Sequence, residues 1–259
     1  NTVVGYGAGS AITTGGSNTI IGYIAGDAIE GGTKNTIIGS EAAGALNSGT
    51  NNVIIGTEAG AALTSGTYSV FIGPNAGDGH DTEGSNIGIG YDALGGSVAG
   101  GENNVAVGIY ALDALTSADF CVALGYQALT NATTGGSNIA LGRLAGDAVV
   151  DEDYTVCIGH GAGDDYIGAQ SIMLGAFTRH HSSGDNETNA ICIGYNVNTG
   201  RGNQVHLGNT SVTAIKGQVS FGTYSDERIK RDIVDTDLGL EFVNKLKPRK
   251  FKRRDPAEY

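Results

Sequence analysis

The stretch NTIIGYIAGDAIEGGTK, residues 18–34, decides the reading, because the chain returns to it again and again. Aligned on the glycine that closes its first five residues, the sequence gives NTVVG (1–5), NTIIG (18–22), NTIIG (35–39), NVIIG (52–56), SVFIG (69–73), NIGIG (86–90), NVAVG (104–108), CVALG (121–125), NIALG (138–142) and TVCIG (155–159). The step between these glycines is 17 residues, once 18. The steps then become 16, 19, 14 and 14 through SIMLG (171–175), AICIG (190–194), QVHLG (204–208) and QVSFG (218–222), for fourteen rungs in all. A fixed period of this length is the mark of a stacked repeat architecture.

Each rung opens with β-branched residues ended by glycine, a short strand whose side chains alternate between two faces. The residue just before the glycine is Val, Ile, Leu or Phe in every rung, so that face is expected to be core. The residue two before it is expected to face outward, yet it reads Val3, Ile20, Ile37, Ile54, Phe71, Gly88, Ala106, Ala123, Ala140, Cys157, Met173 and Cys192. One coil encloses only its inside, so two apolar faces imply further copies around a common axis, with three the expected number. Alanine stands three places after the glycine in each of the first ten rungs, from Ala8 to Ala162, which marks a tight corner. A weaker second strand is expected at AIT (11–13), AIE (28–30), ALN (45–47) and ALT (62–64), followed by a GG or SG turn. Asn1, Asn18, Asn35 and Asn52 recur at one place and are expected to stack as an amide ladder.

The fold class that follows is all-β: a Gly-rich parallel β-roll or β-solenoid, homotrimeric, with a small α+β cap at its C-terminal end. Composition agrees. Of 259 residues 44 are Gly and 3 are Pro, there is no Trp, and 40% are hydrophobic, too many for a disordered chain. Cys121, Cys157 and Cys192 are scattered and odd in number, so they read as buried thiols rather than a disulfide or metal framework. No run of 18 apolar residues exists, which excludes a spanning helix, so no membrane insertion is expected.

Charge is divided unevenly. Residues 1–224 hold five basic and nineteen acidic residues, a net charge of −14, whereas residues 225–259 carry +2. An acidic body disfavours nucleic acid as a partner. The shift places a domain boundary between a shaft at 1–222 and a terminal domain at 223–259. In the latter, Asp235 or Asp237 is placed to cap a helix bearing Leu240, Val243 and Leu246, which Pro248 ends.

Candidate sites are few. GYGAG (5–9) and GHGAG (159–163) lack the Lys-Ser/Thr that a phosphate loop needs, and no cofactor is expected. Asp147 and Asp164 both lie five residues after a rung glycine and are expected to stack, near Asp151, Asp153 and Asp165, as a weak candidate cation site. Arg179, His180 and His181 sit beside the long SSGDNETN loop.

The stretches SDERIKRDI (225–233) and LGLEFVNKLKPRKFK (238–252) resemble the start of the intramolecular chaperone domain found at the C-terminus of phage tail fibres and tailspikes, the endosialidase-type chaperone family. In that family the domain continues well beyond the LKPRKFK stretch. The resemblance implies a chaperone that trimerises, guides folding of a β-rich shaft, and cuts itself off before a serine that works with a lysine five residues on. Here those are Ser225 and Lys230, with the scissile bond at Tyr224–Ser225 and Asp226 and Arg228 in support. The repeat NTIIGYIAG (18–26) is similar to fibre shafts that precede this chaperone, and more loosely to the head repeats of trimeric bacterial adhesins. The implied protein is a virion tail-fibre component, assembled in the host cytoplasm, that binds a cell-surface glycan or outer-membrane protein. Its enzymatic activity is at most one self-cleavage. The alternatives are a tailspike acting on surface polysaccharide and an adhesin head.

Overall fold

The computed structural model describes residues 1–96, 100–165, 167–180 and 188–216. The fourteenth rung, the cap helix and the charged segment after it lie outside these residues. Fifteen strands follow in order: β1 (Thr2–Val4), β2 (Thr19–Ile21), β3 (Thr36–Ile38), β4 (Val53–Ile55), β5 (Val70–Ile72), β6 (Ile87–Ile89), β7 (Val105–Val107), β8 (Val122–Leu124), β9 (Ile139–Leu141), β10 (Val156–Ile158), β11 (Ile172–Leu174), β12 (Arg179–His180), β13 (Ile191–Ile193), β14 (Asn198–Thr199) and β15 (Val205–Leu207). Thirteen form one parallel sheet in the order β1 to β11, then β13 and β15, while β12 and β14 make a small second sheet. Register is strict from coil to coil, with Ile20 opposite Ile37, Ile37 opposite Ile54 and Ile54 opposite Phe71. The chain is therefore a parallel β-solenoid with coils of about 17 residues, about eleven of them regular, and the described residues contain no helix.

The rung glycine is fixed by the stacking itself. At Gly22, φ is +148°, and a Cβ added there would collide with the carbonyl of Gly39 in the next coil; Gly39 stands in the same relation to Gly56. No other residue type fits where successive coils approach this closely. Non-glycine residues with positive φ recur before the strand, as Lys34, Asn51 and Tyr68, and at the corner, as Glu41 and Glu58. Hydrogen bonds between coils hold these conformations, with Lys34 N donating to Gly16 O at 3.0 Å and Glu41 N to Tyr23 O at 2.9 Å. The corner alanines from Ala25 to Ala162 are fully buried, as a tight corner requires.

Three expectations are corrected. The core face of the strand is the residue two before the glycine, not the one just before it: Ile20, Ile37, Ile54, Phe71, Ala106, Ala123, Ala140, Cys157, Met173 and Cys192 are all buried. The residues just before the glycine stand on the outer face, where Ile21, Leu124, Leu174, Ile193 and Leu207 are 37–39% exposed. Alternation fixes which residues share a face, but the direction of the turn decides which face is enclosed.

The second strand is absent from the regular coils. Ile29, Leu46 and Leu63 do enter the core, but by tight turns in which each N–H donates to the carbonyl three residues back, at 3.1–3.2 Å. The one isolated bridge among the described residues, between Thr33 and Thr50, lies beyond it in the return turn.

The asparagines are buried and stacked, but their amides bond to backbone rather than to one another. Asn18 Oδ1 accepts from Asn35 N at 2.9 Å, and Asn18 Nδ2 donates to Gly32 O at 2.8 Å. Asn35 and Asn52 repeat this, with Asn35 Oδ1 accepting from Asn52 N and Asn52 Oδ1 from Ser69 N. Each asparagine side chain thus satisfies two backbone groups where the return turn meets the strand.

Candidate functional site

Ser225, Lys230, Tyr224, Asp226 and Arg228 all lie outside the described residues, as does His181, so the geometry on view belongs to the shaft. There the acidic corner is as the spacing predicts. Asp147 and Asp164 occupy the same place in consecutive coils, and the Asp147 carboxyl is pushed up from its ordinary range first by burial and then by the Asp164 charge. Asn131 Nδ2 donates to the Asp147 carbonyl at 2.8 Å and to its Oδ1 at 3.2 Å, whereas Asp164 Oδ1 is buried without a partner. The neighbouring acids serve the backbone instead. Asp153 Oδ1 accepts from Gly136 N at 2.7 Å and Glu152 Oε2 from Val150 N at 2.7 Å. Among the described residues no group of three or more His, Cys, Asp or Glu is arranged to hold a metal ion.

A second acidic corner, which the sequence reading passed over, sits between the fifth and seventh coils. Asp78 and Asp113 lean toward the space above Gly95: a Cβ there would lie 3.5 Å from Asp78 Oδ1 and 2.9 Å from Asp113 Oδ1. Burial, with the Asp92 charge, raises the Asp78 carboxyl to about 6 and Asp113 in the same direction. The signal was present in the spacing, since Asp78 and Asp113 share the place of Asp147 in the repeat.

The tyrosines are likewise less scattered than the sequence suggests. The residue after the rung glycine forms an outer column, in which Tyr6 stacks on Tyr23 with ring centroids 5.7 Å apart. Farther along, the Arg143 guanidinium lies 5.9 Å from the Tyr126 ring, Arg143 Nη1 is 2.8 Å from His160 Nε2, His160 packs on Phe177 at 4.9 Å, and Phe177 on Tyr195 at 6.0 Å. Five coils thus contribute one continuous row. Because successive coils are only about 4.8 Å apart, ring faces in such a row are largely occupied by the next side chain.

The loop 77–85 turns partly inward. His80 is fully buried and Glu83 is 5% exposed, while Asp81 and Thr82 face outward. Arg179, in β12, donates from Nη2 to Asn196 Oδ1 at 3.3 Å. The three cysteines are buried free thiols, and burial pushes Cys157 up to about 12, so it is inert at neutral pH. Among the described residues no helix is long and apolar enough to cross a membrane.

The fold defines the class: a parallel β-solenoid repeat protein. No family model, curated protein or solved structure matches this chain.

Proposed function

We propose that residues 1–222 are the shaft of a homotrimeric phage tail fibre and that residues 223–259 begin its intramolecular chaperone. The observation that supports this most is the outer face of the long sheet. On it Val53, Val70, Ile87, Val105, Val122 and Ile139 form one column, and the residues just before the glycines form another. Thirteen stacked strands extend this apolar stripe over roughly 60 Å. A soluble monomer seldom leaves so long a stripe uncovered. Identical copies set in parallel around an axis cover it, each with the same face.

Ser225 is then the nucleophile of the release step. Its hydroxyl attacks the Tyr224 carbonyl once Lys230 removes the proton, a role open to lysine where neighbouring cations such as Arg228 depress its pKa. The bond to the Ser225 nitrogen breaks, and water completes the cut. The shaft itself acts as a rigid spacer, and receptor contacts fall on outward residues such as Asp81 and Thr82 and on the stretch TRHHSSGDNETN at 178–189.

Native mass spectrometry of the complete gene product and its Ser225→Ala variant tests both parts. A trimer whose chains end at Tyr224 in the wild type and remain whole in the variant is the expected result. A monomeric shaft would overturn the assembly, and uncut chains in both samples would overturn the cleavage.

A further inference from the structure

His80 occupies a place that belongs to aliphatic residues. The equivalent positions in other coils are Ile29, Leu46, Leu63, Leu115 and Val149, all fully buried, and His80 is fully buried too. Its ring packs on Phe71, with centroids 5.2 Å apart at 57°. Neither ring nitrogen makes a hydrogen bond of good geometry, the Leu94 backbone being at most a weak partner, an unusual state for a buried imidazole. An aliphatic side chain would fill this space with no such penalty. What distinguishes histidine is that it takes up a proton.

We propose that His80 is an acid-operated release point at which the fifth coil opens when its imidazole is protonated. The fold leaves an imidazolium there no good accommodation. The coil itself brings Glu83, whose Oε2 is already engaged by Asp81 N at 2.9 Å and Thr82 N at 3.0 Å, and whose Oε1 accepts from Thr82 Oγ1 at 3.2 Å. Asp81 is turned to Thr64 Oγ1 of the preceding coil. Asp78 and Asp92 lie at the outer corner, beside Asp113 of the seventh coil. Phe71 presents an apolar ring. Burial outweighs the Glu83 charge and the Leu94 backbone, and holds the imidazole down at about 4.

The sign of the effect follows. The unfolded chain takes up the proton near the ordinary histidine value while the folded chain resists it, so stability is lost as pH falls from about 6.5 toward 4. At pH 5 the unfolding equilibrium of each chain shifts by about thirtyfold from this one group. The shift vanishes above about pH 7, so the shaft is unaffected under neutral conditions. The release point lies in the shaft core and is independent of the phage assignment and of any cleavage after Tyr224.

Melting of the full chain at pH 7.5 and pH 5.0, for the wild type and for His80→Leu, tests it. Leucine is the natural occupant at Leu46 and Leu63, so the variant is expected to fold and to lose little stability on acidification, whereas the wild type loses about thirtyfold in its equilibrium. Equal losses in the two proteins would overturn the proposal. Should the variant not fold, the His80 imidazole of the wild type is titrated by NMR: resonances unchanged down to about pH 5 support the release point, and titration at the ordinary histidine value overturns it.

Discussion

Coils two to five and coils six to eight fill the same cross-section from opposite sides. In the first group the strand centre is large, Ile20, Ile37, Ile54 and Phe71, and the residue after the corner alanine is small, Gly26, Ala43, Gly60 and Gly77. In the second the strand centre is small, Gly88, Ala106 and Ala123, and the residue after the alanine is Leu94, Leu112 or Leu129. The exchange is spatial, as the fifth coil shows: a Cβ on Gly77 would run into the Phe71 ring. The backbone does not change, since Leu94, Leu112 and Leu129 hold φ of 51–58°, close to that of Gly26 and Gly60. What is maintained along the shaft is the filled volume of each coil, as expected for a close-packed interior.

The largest effect should come from forcing one solution into the other. Gly77→Leu, with Phe71 in place, should cost about 4 kcal/mol or more through overpacking and left-handed strain, read as loss of the cooperative melting transition. Adding Phe71→Ala recreates the pairing of Ala106 with Leu112 and should restore at least half of that loss. A double variant no better than the single one would break the comparison.

The turn ladder is interrupted once in each group, at Ser69 in the fifth coil after Asn18, Asn35 and Asn52, and at Cys121 in the eighth after Asn86 and Asn104. Asn35→Ala leaves Asn52 N and the Gly49 carbonyl without their buried partner and should cost about 2–3 kcal/mol in denaturant unfolding. Cys121→Ala, at the same place in the repeat, should cost less than about 1.5 kcal/mol.

The smallest effect sits at the junction of the groups. Asp78 is raised in the folded state above its ordinary value, so the folded chain binds more protons and its stability falls as pH rises from about 4 to about 6. Asp78→Asn should therefore stabilise the shaft by about 1 kcal/mol at pH 7, after allowance for its partial exposure, and by nothing near pH 4. Its pH dependence runs opposite to that of His80, which lies two residues away, so the two variants can be told apart by melting across this range.

Much of this was legible in the chain. The 17-residue step, the rung glycine and the corner alanine each followed from residue type at a fixed place, and each reflects a steric limit set by the coils above and below. Asp147 above Asp164 followed from the same step. The aromatic row did not, because its members occupy either of two adjacent places and alternate with Arg143 and His160, so no single residue type repeats. Nor did the burial of His80, since a loop reading GDGHDTEGS is polar throughout and its histidine enters the core only through the packing of its coil against Phe71.

The sequence by itself determined that this chain stacks: a short strand, a glycine and an alanine at constant spacing admit only coils in register, because each coil needs its neighbours to satisfy its backbone. Which side of the strand faces inward was decided only by the tertiary structure. Alternation along a strand is symmetric between its two faces, and the symmetry is broken only when the corner turns, burying Ile20 and leaving Ile21 outside.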